Sequence, residues 1–216
     1  MRVIIFGATG MVGRGVLREC LLDERVTAVL GVGRSATGVA HAKLREIRHA
    51  DLLDLTAIEG ELGGYDACFF CLGVSSVGMA EADYRRITYD VTLSVGRTLA
   101  RLGPGSTFVY VSGAGTDARG RAMWARVKGE TENALLALPL EGYMFRPGYI
   151  QPMHGVTSRT RFYRLAYVVT RPLYPMLRRL FGGGVTTTER IGQAMIAVAE
   201  RGAPRRILGP ADINAL

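Results

Sequence analysis

The sequence predicts an α/β fold, a doubly wound parallel sheet with a small helical C-terminal cap, on three observations. An apolar strand, Arg2-Val-Ile-Ile-Phe6, runs directly into Gly7-Ala-Thr-Gly10-Met-Val-Gly13 and on into an amphipathic run that extends from Met11 to about Leu22. Up to residue 147 the chain keeps alternating short β-branched and aromatic runs with helical ones. Runs such as Phe108-Val-Tyr-Val111 are apolar throughout, as strands buried on both faces are.

Taken in order, the strand candidates are residues 3–6, 26–32, 44–48, 67–71, 107–111 and 143–146, and the helical candidates are 11–22, 53–62, 81–102 and 122–138. The strands are short and rich in Val, Ile, Phe or Tyr, and the helical runs repeat apolar residues every three to four positions. Repeated strand–helix units with right-handed crossovers give a parallel sheet with helices on both faces and the strand order 3-2-1-4-5-6. Pro147 and Pro152 close the sixth strand, Thr187 or Thr188 caps a helix that runs to about Glu200, and a short strand at 206–208 finishes the chain. The chain reads as one domain over 1–216, with 151–216 contributing a cap on the substrate side.

At 216 residues, 48% hydrophobic and 21% charged, the chain is long enough for a full core and too apolar for disorder. A signal peptide is not expected, because the first residues are already a core strand, and no unbroken apolar run approaches the ~20 residues of a membrane span. Three cysteines, Cys20, Cys68 and Cys71, fit a reducing compartment, and a cytoplasmic location is expected. Cys68-Phe-Phe-Cys71 has the spacing of a redox pair, but residues three apart on a strand face opposite sides, so both read as buried thiols. His41, His49 and His154 are scattered, and no metal site is expected. The net charge of +8 is uneven, with seven arginines and no Asp or Glu between Gly142 and Thr188. No helix-turn-helix, zinc or aromatic RNA motif accompanies it, so a nucleic-acid partner is not expected.

Glycine makes up 28 of the 216 residues, so the three-glycine spacing carries weight only through the strand before it and the helix after it. In that context it reads as the βα turn of a Rossmann-type dinucleotide site, where the backbone approaches a pyrophosphate whose charge sits at a helix N-terminus, with a merely structural tight turn as the competing reading. Gly7, Thr9, Gly10, Met11, Val12 and Gly13 are the candidate contacts. At the end of the second strand an Asp or Glu holds the ribose 2′-hydroxyl of NAD, whereas an Arg accommodates the 2′-phosphate of NADP. Here stand Gly31-Val-Gly33-Arg34-Ser35, so NADP is expected over NAD, with Arg34 and Ser35 at the phosphate and Arg14 assisting. A solvated loop arginine is the competing reading of Arg34. Asp51 with Leu52 is a candidate for the adenine amino group, and Leu72, Gly73 and Val74 for the ribose, although ordinary turn chemistry also places Asp and Gly in such loops.

The set Gly7-Ala-Thr-Gly10-Met-Val-Gly13, Ala50-Asp51-Leu52, Leu72-Gly73, Val111-Ser112-Gly113-Ala114-Gly115, Trp124-Ala-Arg-Val-Lys128 and Arg146-Pro147-Gly148-Tyr149-Ile150 resembles an atypical short-chain dehydrogenase/reductase. It is most similar to the NAD-dependent epimerase/dehydratase-like branch that includes the Tat-interacting-protein-type oxidoreductases. The likeness covers about residues 1–150 well and the remainder loosely. It implies an NAD(P)-dependent oxidoreductase or epimerase-like enzyme acting on a small carbonyl or alcohol, and Arg34 with Ser35 makes NADP the expected cofactor. The family works with a Ser, a Tyr and a Lys, the last two spaced Tyr-x-x-x-Lys so that they share a helix face. The ammonium lowers the phenol pKa until it exchanges a proton with a carbonyl oxygen.

Lys128 stands at the Lys position, Trp124 at the Tyr position, and Ser112 or its neighbour Gly113 at the Ser position. An indole donates a hydrogen bond but supplies no acid or base. Lys128, Ser112 and Trp124 are therefore the candidate catalytic residues, with Ser112 or water completing the proton path. Lys128 is also a candidate for the nicotinamide-ribose hydroxyls, since it is one of only two lysines beside 25 arginines. The resemblance implies that Pro147, Gly148, Tyr149 and Ile150 line the nicotinamide pocket, and Tyr149 is a candidate for a relocated proton donor. Trp124 leaves a second reading, a non-catalytic NADPH-binding redox sensor or interaction module.

In the apolar stretch 161–181, Arg161, Arg164, Arg171 and Arg178 recur at three- and seven-residue spacing. A packed lid with arginines snorkelling outward, a helix on an anionic membrane and a lid over an acidic ligand all fit that pattern. The helical runs 81–102 and 122–138 are candidates for a homodimer face, as such pairs are in related folds.

Overall fold

Seven strands run parallel in the order β3 (Leu44–Arg48), β2 (Ala28–Gly33), β1 (Arg2–Phe6), β4 (Ala67–Phe70), β5 (Thr107–Val111), β6 (Glu141–Phe145) and β9 (Ile207–Leu208). The computed structural model describes residues 1–155 and 184–216. The arginine-bearing stretch 161–181, with its lid and membrane readings, lies outside the described residues. The order reverses between β1 and β4, and there the carboxyl ends of the strands diverge into a crevice.

Alternation along the strands builds two cores. Val3, Ile5, Phe69, Val109 and Phe145 face α1 (Met11–Leu22) and α6 (Thr188–Arg201), which bring Val16, Leu17, Ile191 and Met195. Ile4, Phe6, Phe70, Phe108, Tyr110 and Met144 face the other way, toward Leu93 and Leu99 of α4 (Val91–Leu102) and Leu135 of α5 (Met123–Leu136). Phe70 stacks on Phe6 and Phe108 at centroid separations of 5.8 and 5.9 Å. Cys68 belongs to the second core and Cys71 packs against the first, so the two thiols do face opposite sides, and all three cysteines are free.

Most elements lie within two or three residues of their expected bounds. The helix expected over 53–62 does not form as one piece. Asp51 and Asp54 accept hydrogen bonds from the backbone N–H groups of Leu53 (3.0 Å) and Thr56 (2.9 Å), local turns that compete with a helical start. What remains is a 3₁₀ turn (Thr56–Ile58) and α2 (Glu59–Leu62). The run 81–102 is helical throughout but includes a π turn (Arg86–Asp90) between α3 (Glu81–Arg85) and α4.

Sequence reading missed a two-stranded parallel pair, β7 (Tyr149–Gln151) with β8 (Val185–Thr187), and the terminal α7 (Pro210–Ala215). Of the two candidate caps for α6, Thr187 is the one whose hydroxyl accepts from Arg190 N (3.0 Å). The expected helical C-terminal part is present as α6 and α7, beside the short strands β8 and β9, and Ile191, Met195, Val198, Leu208 and Ile213 are all buried in the first cluster.

The α1–α6 contact depends on two missing side chains. A Cβ on Gly15 would lie 2.5 Å from Thr188 Cβ and 2.9 Å from Thr188 O, and one on Gly192 would lie 2.7 Å from Glu19 Cγ. Gly15→Val is therefore expected to destabilise the protein by roughly 1–3 kcal/mol in urea unfolding, because the clash includes backbone that cannot yield cheaply. Gly60→Ala, with nothing within 4 Å of its added Cβ, should be neutral or slightly stabilising.

Candidate functional site

Gly7 leaves β1 at φ +83°, a conformation that favours glycine, and a Cβ there would sit 2.6 Å from Leu72 N. A Cβ on Gly13 would lie 2.1 Å from Gly7 O, so Gly13 seats α1 against the turn. A Cβ on Gly10, the N-cap residue, would meet only Gly7 O, at 3.3 Å. The first turn of α1 has neither an acidic residue nor a side-chain cap, so its unsatisfied N–H groups keep their positive field. These features fit a pyrophosphate: an open backbone approach at Gly10 and no carboxylate to compete.

The turn opens into a cleft of about 680 Å³ over the switch point. Gly10 at the N-cap of α1 and Met11 and Val12 in its first turn line one side, and the loop after β4 contributes Leu72, Gly73, Val74 and Ser75. Ser112 with Gly113, Lys128, and Pro147 with Gly148 and Ile150 close the other side. Gly7, Thr9 and Gly13 do not line this cleft, although Gly7 and Gly13 set the turn that opens into it.

Arg34 and Ser35 are exposed beyond the end of β2, outside the cleft lining. Among the described residues Arg34 has no ion-pair partner, whereas Arg18, Arg25, Arg85, Arg101, Arg126 and Arg146 are each paired with a carboxylate. Asp51 is exposed and folds back on its own turn, and the Leu52 side chain is buried in the second core.

Lys128 reaches the cleft from α5, and its Nζ donates to the Ser112 carbonyl at 2.5 Å. Desolvation lowers its pKa to about 8, against a smaller upward pull from Glu132. The Ser112 hydroxyl turns inward instead, donating to Glu132 Oε1 (2.5 Å) and lying 3.1 Å from Phe145 O. Glu132 is 1% exposed and also accepts from Arg146, through Nε (3.0 and 3.2 Å) and Nη2 (2.5 Å). Sequence reading passed over Glu132 and used Arg146 only as the start of a Pro-Gly segment. The available signal was a carboxylate four residues after Lys128 on the face that buries Ala125 and Leu135.

Trp124 does not line the cleft; its ring lies against Gly115, where an added Cβ would meet Cζ2 and Cη2 at 3.9 and 3.4 Å. Tyr149 also lies off the lining, its hydroxyl donating to Gln151 Oε1 (3.1 Å). Burial pushes the Cys20, Cys68 and Cys71 thiols up, which leaves them protonated and poorly nucleophilic. Among the described residues no His, Cys, Asp and Glu cluster forms a metal site.

Arg146→Met strands the Glu132 carboxylate in the interior and is expected to cost about 3–5 kcal/mol in urea unfolding. Arg126→Met breaks a solvent-accessible pair with Glu81 and two long bonds to the Gly120 and Arg121 carbonyls (3.4 and 3.5 Å), and should cost about 1 kcal/mol or less.

Two curated relatives span different shares of the chain. Protein FMP52-1, mitochondrial, of Scheffersomyces stipitis is 26% identical over 192 residues, 86% of this chain and 84% of that protein. Protein HTATIP2 of Rattus norvegicus is 26% identical over 151 residues, 68% of this chain and 62% of that protein. Two further FMP52 relatives are also named mitochondrial, and these names overturn the cytoplasmic expectation: free thiols mark a reducing environment but not which compartment provides it. Among solved structures, the dTDP-glucose 4,6-dehydratase DesIV of Streptomyces venezuelae, with NAD bound, superposes with a TM-score of 0.73 at 16% identity, covering 97% of this chain and 75% of that one, a likeness of fold. Residues 3–143, from the first strand to the sixth, match the NAD dependent epimerase/dehydratase family, and with the glycine turn and the strand order already described, the chain belongs to that family.

Proposed function

We propose that the cleft binds a nicotinamide dinucleotide, NADP in preference to NAD, and that the protein is an oxidoreductase acting on a small carbonyl or alcohol. The observation that carries this reading is that the glycine turn and Lys128 line one cleft. The N–H groups that open α1 would hold the pyrophosphate, Arg34 with Ser35 and Arg14 the 2′-phosphate, Asp51 the adenine amino group, and Gly73 the ribose backbone contact. Pro147, Gly148 and Ile150 would form the wall beside the nicotinamide. When bound, the nicotinamide supplies or accepts a hydride.

The chain's own task is then the proton. Trp124 offers only an indole N–H, and the Ser112 hydroxyl is committed to Glu132. Lys128, with a pKa lowered to about 8, is left to hold a proton at the cleft and release it near neutral pH. The same two residues favour the second reading, a dinucleotide-binding sensor or interaction module without turnover, since the Tyr position holds Trp124 and no serine hydroxyl replaces it at Ser112.

Loss of NADPH absorbance with a panel of small aldehydes and ketones separates the two readings. The oxidoreductase turns over, Lys128→Met lowers its rate by at least about 100-fold, and the wild-type rate of reduction falls as pH rises through about 8, where Lys128 loses its proton. NADPH binding without turnover of any carbonyl selects the second reading. Arg34→Glu is expected to weaken NADPH binding about tenfold or more while leaving NADH binding unchanged, read by calorimetry.

Stability supplies an independent check on Lys128. Its folded pKa of about 8 lies below the ordinary 10.5, so between those values the unfolded chain binds more protons than the folded one. Wild-type stability should therefore rise between pH 8 and 10.5 relative to Lys128→Met, in paired urea titrations.

A further inference from the structure

β5 ends at Val111, and the last backbone bond that ties its end to β6 runs from Ser112 N to Phe145 O (2.8 Å). The next backbone anchor on that side is Ala114 N on Pro147 O (2.8 Å). Between them lies the Ser112–Gly113 peptide, whose carbonyl is the acceptor for Lys128, followed by a glycine with nothing within 4 Å of an added Cβ. The Ser112 side chain fixes the direction of that peptide from the inside, through its bond to Glu132.

Glu132 stands one helical turn beyond Lys128 on α5, a spacing at which a lysine and a carboxylate ordinarily meet. Here they do not pair, because Arg146 and Ser112 occupy both carboxylate oxygens, and Lys128 turns to the Ser112 carbonyl instead. One buried carboxylate thus ties together α5, the end of β5 and the end of β6, the three elements that carry Lys128, Ser112 with Gly113, and Pro147 with Gly148 to the cleft.

We propose that Glu132, clamped by Arg146, is a positioning residue for Lys128: it holds the Ser112 side chain so that the Ser112 carbonyl holds the Lys128 ammonium at the cleft. Ser112 is then a strut and not a proton donor. The functional weight of this device rests on the reading of Lys128 given above, but its existence can be tested apart from any cofactor.

The chain has two lysines, so protein labelled with ¹⁵N-lysine carries two side-chain ammonium signals, assigned by Lys43→Arg. Lys43, whose Nζ donates to Asp23 O (2.8 Å), is the internal control. In Ser112→Ala and Glu132→Ala the Lys128 signal should shift or be lost to exchange with water while the Lys43 signal stays in place. Glu132→Gln, which keeps an oxygen for the Ser112 hydroxyl, should restore most of it. NADPH affinity should fall about tenfold in Ser112→Ala.

If Glu132→Ala fails to fold, Ser112→Ala, which removes one oxygen, decides the matter. An unmoved Lys128 signal in folded Ser112→Ala overturns the proposal. Loss of turnover with that signal unmoved also overturns it, by making Ser112 a catalytic hydroxyl. A wild-type protein that binds no NADPH refutes the dinucleotide reading and leaves the Lys128 signal to report on the clamp.

Discussion

The carboxylate of Glu132 lies in the interior at a cost of several kcal/mol in lost hydration, which attraction to a single partner does not repay. Three donors offset that cost: the Nε and Nη2 of Arg146 and the hydroxyl of Ser112. Because the donors come from different strands, satisfying the charge fixes where those strands end relative to α5. An apolar substitute would fill the space without setting those directions. The arrangement trades stability for position, and the positions are those of the residues that wall the cleft beside Lys128.

The other half of the cleft is set by close approach instead of charge. Gly7 brings the turn after β1 against Leu72, Gly13 seats α1 on that turn, and Gly15 and Gly192 bring α6 onto α1. The helix whose N-terminus faces the cleft is thereby held between the sheet and a helix near the C-terminus of the chain. This explains why residues well past the sixth strand pack as core. One side of the site is anchored by missing side chains and the other by a buried ion pair, and both converge at the point where the strand order reverses.

Much of this was legible in the sequence, for physical reasons. Parallel strands buried on both faces leave unbroken apolar runs, so β1, β4 and β5 announced themselves, and the strand order followed from the glycine turn. The helix at 53–62 was misread because Asp51 and Asp54 act through side-chain bonds two residues on, which hydrophobic spacing does not register. β7 and β8 were missed because two three-residue strands find each other across 33 residues of chain, with no periodicity of their own. Glu132 was overlooked for a similar reason: its partners lie 14 and 20 residues away, and only the fold reveals them. Trp124 was placed by alignment with a tyrosine, yet its ring lies against Gly115 and not on the cleft lining.

The claim on which the account turns is that the cleft over the switch point takes a nicotinamide dinucleotide, and the single tryptophan offers the most direct test. Trp124 sits on the same helix as Lys128, four residues away, within range of energy transfer to a reduced nicotinamide in the cleft. The measurement is Trp124 emission during titration with NADPH and, separately, NADH at fixed salt. The account predicts saturable quenching that is tighter for NADPH than for NADH. Emission unchanged by both cofactors, with calorimetry also silent, would contradict it.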